Sequence, residues 1–207
     1  MKVLLINGSP HSNGNTAAAL NEMIKIFEAE GVETNLVQVG NKAVRGCVAC
    51  RKCFETGKCI FNDIVNEVAP LFEEADGLVI GAPVYYSSAA GTAISFMDRL
   101  FFSTSTKFDK TMKVGACVVI SRRGGSTATF DELNKYFTMT QMPVASSQYW
   151  NMAYGREPGE VLQDAEGMQT MRTLARNMTF LMKSIALGKE KFGLPEKENW
   201  TPTHFIR

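Results

Sequence analysis

Short apolar runs recur along this chain, and most are followed by a stretch with apolar residues at helical spacing. That alternation restricts the fold more than any other feature. Continuous apolar runs suit strands buried on both faces, and intervening helices make such strands parallel. Strands are expected over residues 3–7, 34–39, 77–82, 114–121 and 144–148. Helices are expected over 16–30, 89–101, 127–142 and 165–187, with one more after Asp63, where Val65, Val68, Leu71 and Phe72 share a face. The result is a doubly wound α/β sheet of five parallel strands. Such sheets bind ligands at the carboxyl ends of their strands, where the strand order reverses. The loops after strands one, three and four should therefore form one site. Residues 1–187 form the expected domain, with a Cys-rich loop at 45–60, and residues 188–207 form a tail.

Hydrophobic residues make up 45% of the 207, enough for one large core. Lys plus Arg total 22 against 21 Asp plus Glu, a net +1 that offers no long-range field for nucleic acid or an anionic membrane. The same balance argues against a small carrier that docks through a strongly charged face. No apolar run approaches the ~20 residues needed to span a bilayer. The first run is also too short for a signal peptide, so a cytoplasmic location is expected. Persistent disulfides among the five cysteines are then disfavoured.

The first loop reads Gly8-Ser9-Pro10-His11-Ser12-Asn13-Gly14-Asn15-Thr16 and opens a helix. Amides at a helix start lack partners and favour an anion. Ser9, Ser12 and Thr16 can donate further bonds, while the following Ala17 adds an amide and no bulk. A nucleoside-triphosphate loop needs Lys where Asn15 stands, and the dinucleotide glycine pattern is missing. An uncharged cradle of this kind suits one terminal phosphate, such as that of FMN. A plain polar turn with Asn15 as helix cap is the competing reading. Pro83, Val84, Tyr85, Tyr86 and Ser87 follow the third strand, and a tyrosine face could cover a flavin ring. Ser121, Arg122, Arg123 and Gly124 follow the fourth. Either arginine could offset charge on a reduced flavin or grip a nicotinamide nucleotide, or simply lie in a solvated turn.

Gly8-Ser9-Pro10 through Thr16, Ala82 through Tyr86, and the run from Cys47 to Cys59 resemble the NADPH-dependent FMN reductase and iron–sulfur flavoprotein group of flavodoxin-like proteins. The resemblance extends over residues 1–148. It implies a flavodoxin-like three-layer fold, with Ser9, His11, Asn15 and Thr16 at the FMN phosphate and Pro83, Val84, Tyr85, Tyr86 and Ser87 at the ring. It further implies NAD(P)H as electron donor and a small acceptor: a quinone, a nitro compound or a flavin. Members often carry Arg after the Ser-Pro pair; His11 here replaces a permanent cation with one that depends on pH. The tail from Trp200 resembles arms that pack on a neighbouring subunit, which implies a homodimer or homotetramer.

Cys47, Cys50, Cys53 and Cys59 are spaced C-x2-C-x2-C-x5-C, close to the runs that hold cubane clusters in ferredoxins. Arg45, Arg51, Lys52 and Lys58 would offset cluster charge, and the resemblance implies a [4Fe–4S] centre. Zinc, free thiols beside the flavin and a switching disulfide stay open as alternatives. Cys117, inside a strand, is expected to be packing, and Asp98-Arg99 a helix-surface or subunit contact. No general acid or base is expected, because a flavin carries its own chemistry. The function expected is an FMN-dependent oxidoreductase, with a non-enzymatic electron carrier and a thiol-based redox sensor as the other readings.

Overall fold

The computed structural model describes residues 1–206. Its strands are β1 (Lys2–Asn7), β2 (Glu33–Gln38), β3 (Gly77–Tyr85), β4 (Ser88–Ala89), β5 (Val114–Ser121) and β6 (Met152–Tyr154). The helices are α1 (Asn15–Ala29), α2 (Lys52–Thr56), α3 (Ile64–Glu74), α4 (Gly91–Ser103), α5 (Ser126–Met139) and α6 (Ala165–Phe192), with a 3₁₀ turn at Glu160–Gln163. Five strands run parallel in the order β2-β1-β3-β5-β6, and β4 folds back antiparallel on the end of β3. From β1 the chain steps outward to β2, then crosses back to β3. The switch in direction falls between β1 and β3, so a crevice is expected outside their carboxyl ends.

Strand alternation feeds two cores. Leu4, Ile6, Leu78, Ile80, Cys117 and Val119 face α3, α4 and α5. Val3, Leu5, Val79, Ala116, Val118 and Ile120 face α1 and α6. Burial on both sides explains why these strands read as unbroken apolar runs. Asp63 caps α3, as expected, by accepting a bond from the Val65 amide at 3.1 Å. The long α6 continues to Phe192. The segment after it contains no regular element among the described residues and exposes Trp200, Phe205 and Ile206; Arg207 lies outside those residues.

The fifth strand departs from expectation. Residues 144–148 make one bridge, Val144 to Gly115, and the strand that completes the sheet is β6. Side chains decide this. Ser147 Oγ bonds the Tyr149 carbonyl and Asn151 Oδ1, while Asn177 on α6 donates to the Ser146 carbonyl, so a polar loop leaves the edge and returns at Met152.

At the opposite end of the sheet two lysines finish helices. Lys110 is 5% exposed; its Nζ donates to the Thr104 carbonyl at 2.7 Å, beyond α4, and lies 4.5 Å from the Phe108 ring centre. Lys113 donates to the Glu73 and Ala75 carbonyls at the end of α3. Burial pushes the Lys110 amine down to about 8, and Lys113 in the same direction. A folded-state pKa below the unfolded value means fewer protons bound when folded, so stability climbs with pH between about 8 and about 10.4. Lys110→Met should flatten that climb. Urea midpoints at about pH 7.5 and about pH 9.5 measure it: the wild type gains on the variant as pH rises.

Candidate functional site

The first loop sits on the sheet's carboxyl rim. A polar network fixes its entry. The Ser9 amide donates to Asn7 Oδ1 at 3.0 Å, Asn7 Nδ2 donates to Gln38 Oε1 at 2.6 Å, and Gln38 Nε2 donates to the Ser9 carbonyl at 2.7 Å. Gly40 lies so close that a Cβ there would come within 2.2 Å of the Ser9 carbonyl oxygen, which leaves room only for glycine. The His11 amide bonds Ser9 Oγ at 3.2 Å, so the buried hydroxyl accepts from within and keeps its own proton to donate. Gly14 caps α1 in an extended conformation without any side-chain hydrogen bond. The first-turn amides of Asn15, Thr16 and Ala17 are therefore capped by no side chain of this helix start. Thr16 and Ala17 are buried, whereas Pro10, His11, Ser12 and Asn13 are exposed.

Asn15 is placed differently from its neighbours. Its Oδ1 accepts from the Val161 amide at 3.3 Å, so the side chain ties α1 to the segment after β6. Asn7, Gln38 and Gly40 escaped sequence reasoning altogether. The available signal was slight: a polar residue at the last position of each of two paired strands.

The second rim loop is a two-residue hairpin between β3 and β4. Its central residues, Tyr86 and Ser87, have φ of 53° and 63°. This turn type normally uses Asn or Gly, and a non-glycine residue in that region costs on the order of 1–3 kcal/mol. Two contacts hold it. Glu132 on α5 accepts from Ser88 Oγ at 3.0 Å and from the Ala89 amide at 2.9 Å. Gly125, itself at φ 91°, packs under the turn; a Cβ there would come within 2.9 Å of Ser87 Cα and Val84 Cγ1. Tyr85 is half exposed, and Tyr86 stands entirely in solvent. In the third loop Ser121 and Ser126 join hydroxyls at 2.7 Å, while Arg122, Arg123 and Gly124 are exposed. Parallel pairing puts all these loops on one edge. Open clefts of about 480 and 710 Å³ lie at the other edge, lined by Lys107, Lys110, Lys113 and their neighbours, with no rim-loop residue.

The cysteine loop gathers a second set of candidate residues. Ala49 and Arg51 adopt left-handed conformations, φ 51° and 60°, and curl the chain between successive cysteines. Cys47, Cys50, Cys53 and Cys59 consequently line one small pocket with Arg51, Phe61 and Arg99. Cys47 and Cys50 are exposed and Cys53 is buried, with burial pushing its thiol up. All five cysteines are free thiols. Among the described residues, no three His, Cys, Asp or Glu side chains are grouped as one metal ion would require. Cys117 is fully buried packing, as expected. Arg99 corrects an expectation: only Asp98 lies on the helix surface, where it accepts from the Tyr136 hydroxyl, while Arg99 is 1% exposed and paired with Asp63 at 2.6 Å. Isolated, an Asp-Arg pair on a helix carries no signal for that inversion.

A parallel sheet in this order, with an anion-ready helix start at its switch point, defines a flavodoxin-like α/β protein. The profile of the NADPH-dependent FMN reductase family matches residues 1–157, and the chain belongs to that family. It is 31% identical over 195 residues to an iron–sulfur flavoprotein of Methanocaldococcus jannaschii, covering 89% of this chain and 99% of that one. It is 26% identical over 193 residues to the iron–sulfur flavoprotein of Methanosarcina thermophila, covering 92% and 100%. Among solved structures it resembles RosB with a bound riboflavin-5'-phosphate derivative (TM-score 0.68, 16% identity, 100% and 94% covered). It also resembles an NAD(P)H:quinone oxidoreductase from Methanothermobacter marburgensis (TM-score 0.65, 13% identity, 86% and 96% covered). The chain is thus a flavoprotein with a flavin-dependent redox role.

The hairpin clamp is directly testable. Glu132→Ala leaves the Ser88 hydroxyl and Ala89 amide without their acceptor, which should destabilise the fold by about 1–3 kcal/mol. Urea denaturation reads that loss. Amide exchange at Ala89 should accelerate while exchange in β1 stays slow.

Proposed function

We propose that this protein is an FMN-dependent oxidoreductase that moves electrons from NAD(P)H, or from an iron–sulfur centre, to a small acceptor such as a quinone, a nitro compound or a flavin. The observation that carries the reading is the uncapped start of α1, ringed by hydroxyls and free of acidic residues. Ser9, Ser12, Thr16 and the amides of Asn15 and Ala17 would hold the FMN phosphate, and His11 stands beside them. Asn15 would contribute through its backbone, since its side chain serves Val161. Pro83, Val84, Tyr85, Tyr86 and Ser87, with Ser121, Arg122 and Gly124 opposite, would border the ring. When bound, FMN supplies the redox chemistry, accepting electrons in pairs or singly. The residues around it would place the ring, and Arg122 would supply cationic charge.

The cysteine pocket supports a [4Fe–4S] cluster as the second centre. Cys47, Cys50, Cys53 and Cys59 line one pocket beside Arg51 and Arg99, and four cysteines next to cationic groups are the donor set such a cluster would use. Two of the relatives above are themselves named iron–sulfur flavoproteins. An electron-carrier reading draws on those names, and a redox-sensor reading on the exposure of Cys47 and Cys50. Exposed Trp200, Phe205 and Ile206 support a tail that packs on a second copy of the chain. None of the described helices is long and apolar enough to cross a membrane, in keeping with a cytoplasmic protein.

Anaerobically purified protein, desalted after incubation with FMN, should keep flavin absorbance and contain iron and sulfide; colourless protein ends the proposal. NADPH consumption with a quinone separates the enzyme from a carrier. Ser9→Ala should weaken FMN about tenfold, while His11→Arg should tighten it by a similar factor, both read by flavin fluorescence.

A further inference from the structure

Arg99 is the most buried charged side chain among the described residues, at 1% exposure, and every one of its N–H groups has an acceptor. Nη1 and Nη2 grip both carboxylate oxygens of Asp63 at 2.6 and 2.9 Å. Nε and Nη2 then converge on one sulfur, Cys59 Sγ, at 3.3 and 3.2 Å. The remaining bonds go to the Arg45 and Phe61 carbonyls, both at 3.4 Å. The backbone of Cys59 is pinned as well: its amide donates to Asn66 Oδ1, and Asn66 Nδ2 donates back to its carbonyl, each at 2.9 Å. No other cysteine of the loop is held this way. Cys47 Sγ accepts one amide bond, from Ala49 at 3.4 Å, and both Cys47 and Cys50 face solvent.

We infer that Arg99 is a positioning residue that fixes Cys59 as the permanent ligand of the cluster and sets the cluster's reduction potential through its charge. The inference rests on the cluster reading above. A guanidinium forked on a carboxylate cannot swing, so the two N–H bonds hold Cys59 Sγ in a single place before any iron arrives. Groups of this kind behind a metal ligand are worth 10- to 100-fold in metal retention. The cation also favours the more negative, reduced cluster, raising its potential. Asp63 opposes that effect from the far side of the same guanidinium. Loss of iron should then begin at Cys47 and Cys50, the solvent-facing side.

Anaerobically prepared wild type, Arg99→Lys, Arg99→Gln and Asp63→Asn test this, with circular dichroism and bound FMN as controls for folding. Iron release to a chelator and the midpoint potential, followed by the cluster's electron paramagnetic resonance signal, are the readouts. Arg99→Gln should release iron about 10- to 100-fold faster and show a lower potential. Arg99→Lys should recover the potential, having the charge, but not the retention, having lost the fork. Asp63→Asn keeps the helix cap, since Asn caps as well as Asp. It should raise the potential and hold iron better than Arg99→Gln does. A folded Arg99→Gln with wild-type release and potential overturns the inference. So does an Asp63→Asn potential at or below wild type, which remains readable even if Arg99→Gln fails to fold. Wild type without iron or sulfide would remove the cluster reading itself, and this inference with it.

Discussion

The site depends on one closed polar circuit: Asn7 to Gln38, Gln38 to the Ser9 carbonyl, and the Ser9 amide back to Asn7. It joins the ends of β1 and β2 just where the backbone must leave the sheet. Unpaired, the buried Asn7 and Ser9 groups would carry a desolvation penalty of about 1–3 kcal/mol each. Paired with one another, they leave the first α1 amides uncommitted. The circuit also explains Gly40, because any Cβ there would press on Ser9 and open it. An anion site made from backbone needs such a frame, since amides cannot adjust as side chains can.

The two centres are built on different electrostatic plans. The rim loop of α1 is uncharged, so any preference it has for a phosphate would rest on amide direction and hydroxyl reach. The cysteine pocket is cationic, with Arg45 and Arg99 both over the Phe61 ring at 4.6 and 5.0 Å from its centre. A near-neutral chain can therefore favour anionic groups at two places without a field that reaches far into solvent.

Much of the fold was legible because parallel strands buried on two faces leave unbroken apolar runs, and β1, β3 and β5 all show them. The first loop was legible for a related reason: glycines and hydroxyls after such a strand serve few purposes. What escaped depends on partners distant in sequence. Arg99 looks like a surface residue until Asp63, 36 positions away, closes on it. Residues 144–148 read as a strand until Asn177 of α6 draws Ser146 off the edge. Tyr86 and Ser87 carry no turn signal, because their left-handed backbone is imposed by Glu132 and Gly125 rather than chosen locally.

Helix α4 joins these parts. It starts directly after the strained hairpin, at Gly91, and Ala93 packs so near the first loop that a Cβ on Gly8 would come within 2.7 Å of it. Arg99 follows six residues later, about 9 Å along the axis, and reaches Cys59. Asp98, on the outer face, is anchored to α5 through Tyr136, whose hydroxyl burial and this bond hold protonated to unusually high pH. The same α5 carries Glu132, the hairpin's clamp. Rim loop, hairpin and cysteine pocket are thus fastened to one rigid helix, itself fixed by two ion or hydrogen-bond pairs to α3 and α5. A shift of α4 cannot be confined to either centre, so geometry at the thiols and geometry at the rim are set together by the packing of a single element.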